Sequence, residues 1–146
     1  MNAKGDDHTM KASEFLEQIE YLEEKIAHKK EKCRDWKEIA KGTTTQVGKE
    51  RVQSSGSNDR MADAMAEAVT LEKEIAIMED TIKEILGTIE KVRTKEAKFL
   101  YQHYVEYMSL DEIRWKEGMS YSWATTMKSR ALKSVQRILD GKDKRR

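Results

Sequence analysis

The chain has 146 residues, the length of one ordinary domain. Charged residues make up 38% and hydrophobic residues 38%, with no proline, 7 glycines and few aromatics, which argues against turn-rich barrels and sandwiches and against a large enclosed cofactor pocket. Its 28 Lys and Arg nearly balance 27 Asp and Glu, so a uniformly basic nucleic-acid coat is excluded while a basic face is not.

The first helix is predicted from Met10 to Lys41. Its stripe is Phe15, Ile19, Leu22, Ile26, Cys33, Trp36 and Ala40, with gaps of four and three if Lys29 fills the missing slot. That lysine either fixes register in the seam or snorkels outward. Residues Gly42 to Asn58 have no period and are rich in Gly, Ser and Thr. They predict a loop longer than the ~12–15 residues usual for an unstructured connection. Lys49 and Arg51 lie in it and Arg60 just beyond. This tip either contacts a polyanion or partner protein, or is a plain connector.

A second helix is predicted from Asp59. Met61, Ala64, Ala68, Leu71, Ile75, Met78, Ile82, Ile85, Ile89 and Val92 follow one another at gaps of three and four without a break. At ~1.5 Å per residue the two helices span about 48 and 50 Å. Matched lengths predict a coiled-coil-like antiparallel hairpin over residues 1–93. Its second stripe is longer than a partner with a Lys29 gap covers, which predicts a homo-oligomer burying Ile75, Ile82 and Ile85.

A third helix is predicted from Thr94, as its N-cap, to Tyr107, with Ala97, Leu100, Tyr101, Tyr104, Val105 and Met108 on one face. Ser109 and Glu112 form an S-x-x-E capping box, which opens a fourth helix. Gly118 stops it in a left-handed turn, and Ser120 caps a fifth helix that buries Ala124, Met127, Ala131, Val135 and Ile138. A short helix, a glycine turn and a longer basic helix read as a helix-turn-helix over residues 94–146. Leu110, Ile113, Met119, Ala124 and Met127 are its expected inward residues. The fold class is therefore all-α.

Residues 1–93 hold 16 basic and 20 acidic residues, net −4, and residues 94–146 hold 12 and 7, net +5. Met119 to Arg146 alone carries 8 basic and 2 acidic, net +6. A basic helix after a capped turn is the candidate contact surface for double-stranded DNA. Tyr121, Ser122, Thr125, Thr126 and Ser129, early on that helix, are the candidates for base contact. Arg114, Lys116, Ser120, Lys128, Arg130, Lys133 and Arg137 are the candidates for phosphate contact. Trp123 fits core filling and exposed stacking equally. A frayed basic tail would account for Lys142, Lys144, Arg145 and Arg146.

The residues Leu110-Asp-Glu-Ile113, Gly118-Met-Ser120, Met127 and Arg130-Ala-Leu132 resemble region 4 of sigma-70-type factors. The string Arg51-Val-Gln-Ser-Ser-Gly-Ser57, with Asp59 and Asp63-Ala64, resembles the ArpU and RinA type regulators of late phage transcription. That resemblance implies a phage or prophage DNA-binding regulator, acting in the cytoplasm of a bacterial host, with RNA polymerase as a possible partner. The sequence departs from the sigma pattern at Arg114, where Ala or Gly usually stands, and at Glu117, where a large apolar residue is common. Trp115 is the candidate to fill that volume. A small terminase subunit and a coiled-coil adaptor that never touches DNA are the rival readings.

No catalytic constellation is evident, and no cofactor or metal is expected. Cys33 stands alone, so an intramolecular disulfide and a multi-cysteine zinc site are excluded. His8, His28 and His103 are scattered. No apolar run reaches the ~18 residues of a membrane span, and the N-terminus has no apolar signal segment.

Overall fold

A computed structural model describes residues 10–42 and 54–141. Among them are five helices and no strand: α1 (Ala12–Lys41), α2 (Ser54–Glu90), α3 (Thr94–Leu100), α4 (Leu110–Glu117) and α5 (Tyr121–Leu139). The helix α3 continues as a π-helical turn over Tyr101–Val105. Helix α2 begins five residues before the predicted Asp59, so the aperiodic string ends inside a helix. Lys49 and Arg51 lie outside the described residues. Arg60 is exposed on α2.

The described residues divide into two compact units, those within 22–80 and residues 10–21 with 81–141. The expected division at residue 93 therefore differs from the observed one. Both ends of the hairpin belong with the C-terminal helices. A physical reason is visible at the start of α1, where a helix leaves N–H groups without intrahelical partners. The Ala12 N–H donates to Gln136 Oε1 of α5 at 2.8 Å, and Gln136 Nε2 donates to the Met10 carbonyl at 3.3 Å.

In the unit of residues 22–80, α1 and α2 run antiparallel. Cys33 packs with Ala68 and Leu71, and half-buried Trp36 covers them. Lys29, before Cys33, pairs with Glu74, after Ala68, at 2.9 Å. Lys37 pairs with Glu72 on the other side. Lys29 thus fills its slot in the stripe with an ion pair, its side chain 23% exposed. Along the stripe of α2, Ala64, Ala68, Leu71, Ile89 and Val92 are buried and Met61 and Met78 half-buried. Ile75 and Ile85 are buried within the chain, as expected, and Ile82 is half-buried.

In the other unit, Leu16, Ile19, Ile85, Ile89, Phe99, Leu100, Ile113 and Val135 are all but inaccessible. The register of α3 departs from prediction. Thr94 is the first helical residue; Arg93 precedes it in extended backbone and no side chain caps the end. In the π turn the Glu106 N–H donates to the Tyr101 carbonyl, five residues back, at 2.9 Å. A π turn shifts every following side chain around the axis. Gln102 is therefore buried, while Tyr101, expected in the core, is exposed; Tyr104 is buried, as expected. The helix stops two residues before predicted Tyr107, which takes a left-handed φ of 61°.

The Tyr104 hydroxyl is buried with no hydrogen-bond partner. Burial, and then the Glu17 carboxylate, push its phenol up to about 12 from 10.0. A raised phenol favours the neutral folded form. That stability is full below pH 10 and is lost as pH rises through about 12. Two pKa units correspond to about 2–3 kcal/mol. Tyr104→Phe is expected to be neutral or stabilising by about 1 kcal/mol at pH 7, because it removes an unsatisfied group. Urea midpoints from pH 9 to 12 should fall less for the variant than for the parent. An equal fall would show that the hydroxyl is solvated.

Candidate nucleic-acid interface

The turn between α4 and α5 is fixed by local chemistry. Ser109 Oγ accepts from the Glu112 N–H at 3.0 Å, and Glu112 Oε1 accepts from the Ser109 N–H at 2.8 Å, completing the capping box. At the other end Gly118 adopts φ 69°, ψ 35°. The Met119 N–H donates to the Arg114 carbonyl at 2.8 Å and the Gly118 N–H to the Trp115 carbonyl at 3.2 Å. This is a Schellman closure, which needs a left-handed residue that only glycine supplies without strain. Ser120 Oγ then accepts from the Trp123 N–H at 3.0 Å and starts α5.

The two helices close on each other and on α3 through Phe99, Ile113 and Met127, with Met108, Leu110 and Trp123 packed around them. Ala124 is fully buried. Trp123 is thus part of the core, edge-on to Phe99 at 6.4 Å and 79°. Phe99 itself is absent from the stripe that the sequence predicts. Met119, expected inside, is exposed; it lines a groove of about 390 Å³ with Phe99, Trp123, Met127, Lys98 and Arg130.

Neither departure from the sigma pattern separates the helices. Arg114 folds back on its own helix, its Nε 3.1 Å from Asp111 Oδ1 and its guanidinium 4.8 Å from the Trp115 ring centroid. Trp115 therefore fills no volume inside; it is 69% exposed. Glu117 replaces apolar packing with polar contacts. Gln102, buried on the π turn, donates to its Oε2 at 3.0 Å, and Lys98 lies 3.2 Å away. These bonds, Gln102 first, hold the Glu117 carboxyl below the usual carboxylate range.

Five residues on α5 bury one face: Ala124, Met127, Ala131, Ser134 and Val135. The opposite face presents Ser122, Thr125, Thr126 and Ser129, all exposed, with Tyr121 exposed beside them in the first turn. All five candidate base-contact residues therefore stand on accessible surface. Thr125 Oγ1 donates to the Ser122 carbonyl at 3.0 Å. Lys116, Arg130, Lys133 and Arg137 are exposed and Lys128 is half-buried. None of these five forms an ion pair with another described residue. Ser120 commits its hydroxyl oxygen to the cap. Arg114 stands apart from the other candidate cations, because its charge already faces a carboxylate and a ring.

Arg93 joins this basic side, although no sequence pattern singles it out. It lies one residue before α3, yet lines a cleft with Arg130, Lys133 and Arg137 of α5. The only sequence signal is its place at the start of a helix that packs on the basic one.

Among the described residues no group of three or more His, Cys, Asp or Glu is placed to hold a metal ion. No helix among them is long and apolar enough to cross a membrane. Comparison with protein-family models, curated proteins and solved structures finds no match to the chain.

Proposed function

We propose that this chain is a DNA-binding regulator of phage or prophage late genes, with α5 seated in the major groove. The observation that carries the reading is the two-sided character of α5. One side is locked into a core by Ala124, Ala131 and Val135. The other offers small hydroxyl side chains flanked by cations with no carboxylate partner among the described residues. An α-helix fits the major groove, and flanking cations meet the phosphates on either side. The phage setting and the late-gene role rest on the resemblance to the ArpU and RinA type regulators, and contact with RNA polymerase belongs to the same reading.

The test is binding of the full chain to duplex DNA, followed by fluorescence anisotropy over a series of salt concentrations. Each phosphate contact releases counterions and adds about −0.9 to the log–log salt slope. Salt-dependent affinity is the expected result. Absence of binding to any duplex at low salt overturns the reading in favour of a coiled-coil adaptor.

Self-association belongs to the same proposal, now on a different face of α2. Met65 and Val69 are 49% and 39% exposed, one helical turn apart. Light scattering at tens of micromolar should give a dimer or higher oligomer, and Met65→Glu with Val69→Glu should reduce it to monomer. A monomeric parent would remove this part of the proposal. A large closed ring would favour the small terminase subunit.

A further inference from the structure

The cleft between the start of α3 and the flank of α5 is lined by Arg93, Glu96, Arg130, Lys133, Ser134 and Arg137, and measures about 170 Å³. Four cations and one carboxylate share this lining. That carboxylate is already engaged, since Ser134 Oγ donates to Glu96 Oε1 at 2.6 Å. Ser134 is buried and Glu96 half-buried, while the four cations are exposed. Like charges lining one cleft repel unless an anion comes between them.

The lining also selects the kind of anion. Among the described residues no aromatic or aliphatic residue lines the cleft, so a nucleobase would find no platform to stack on. The volume is large enough to admit one phosphate group. Arginine's fork of donors suits phosphate oxygens, and three of the four cations are arginines.

We propose that this cleft is a phosphate-binding site that holds one backbone phosphodiester of duplex DNA, with Arg93 as its member outside α5. The inference rests on the DNA-binding reading and adds to it a contact off the readout helix. Glu96 is the opposing element. It orients Ser134 and lowers the affinity of the cleft for an anion, so the site binds more weakly than its four cations alone would.

The full chain is compared with Arg93→Gln and Glu96→Gln by duplex anisotropy over a salt series. Melting curves check that each variant folds. Arg93→Gln is expected to weaken binding about three- to tenfold and to flatten the log–log salt slope by part of the ~0.9 of one phosphate contact, since the three cations of α5 remain. Glu96→Gln keeps an oxygen to accept from Ser134 but loses its charge, so it should tighten binding severalfold. A merely structural Glu96 would give no gain. A second measurement reads the cleft without DNA: inorganic pyrophosphate should shift the Nε–Hε resonances of Arg93 and Arg137. If the parent binds duplex and Arg93→Gln leaves affinity and slope unchanged, the proposed site is wrong and the DNA-binding reading stands. If the parent binds no duplex, the DNA-binding reading and the phosphodiester assignment both fail. Pyrophosphate shifts would then mark a site for free phosphate compounds, and their absence would overturn the cleft altogether.

Discussion

Phe99→Ala is expected to destabilise the C-terminal helices by about 3–5 kcal/mol, the range for truncating a buried phenylalanine. Phe99 is 2% exposed and joins α3 to both arms of the helix-turn-helix. It touches Ile113 of α4 and Met127 of α5, meets Trp123 edge-on, and lies 5.8 Å from the His103 ring. Truncation leaves a void that Ile113 and Met127 cannot fill without moving the helices that carry them. It also removes an aromatic pair contributing about 0.5–1.5 kcal/mol beyond its buried area. Against a typical total of about 5–15 kcal/mol, the loss is large. Urea unfolding should show a lower midpoint, and the near-ultraviolet signal of Trp123 should weaken because its ring loses its neighbour. Phe99→Leu should recover more than half of the loss. A cost below about 1 kcal/mol would mean that the three helices are held together elsewhere.

Phe99 also marks where the sequence stops being legible. The stripe of α2 is readable because burial there follows an uninterrupted helical period, as Ala64, Ala68, Leu71 and Ile75 show. The caps of α4 and α5 are readable because they are local: Ser109, Glu112, Gly118 and Ser120 act within a turn of their own positions. Burial along α3 is not. A reading at 3.6 residues per turn selects Tyr101 and passes over Phe99 and Gln102. The π turn at Tyr101–Val105 widens the helix and turns Gln102 inward. Nothing in the local residue types announces such a turn. The exchange of partners around α4 is equally hidden. Trp115 looks like core and lies outside under Arg114, while Glu117 looks like surface and is gripped by a buried amide. In the candidate site, the face with Ser122, Thr125 and Ser129 follows from the phase of α5. The cleft does not, because Arg93 precedes another helix and only tertiary packing brings it near Arg130.

On the readout helix itself, charge removal and hydroxyl removal should behave differently. Lys128→Ala with Lys133→Ala should weaken binding to every duplex alike and flatten the log–log salt slope by about 0.9 for each phosphate no longer neutralised. Over a rise from about 50 to 200 mM salt, a protein that neutralises six to ten phosphates weakens about 10³- to 10⁵-fold, so the effect of two is readily resolved. Thr125→Ala or Ser122→Ala should leave that slope alone and cost about 1–3 kcal/mol at the cognate site only. The structure sharpens the expectation for Thr125. Its hydroxyl proton is committed to the Ser122 carbonyl at 3.0 Å. It is left with acceptor lone pairs and a methyl group, which suit an amino group of adenine or cytosine, or the methyl of thymine. Thr125→Val keeps a methyl surface and discards the acceptor. It should preserve preference at a thymine and abolish it at an adenine or cytosine. Arg114→Ala is the internal control among the cations. Its charge is already balanced by Asp111 at 3.1 Å, so it should change the slope less than Lys116→Ala, two residues further on and exposed on the same helix. Equal slopes for the two would mean that Arg114 leaves Asp111 and Trp115 when DNA arrives. A slope that responds to Thr125→Ala as strongly as to the lysines would mean that α5 does not lie with its hydroxyl face in the groove.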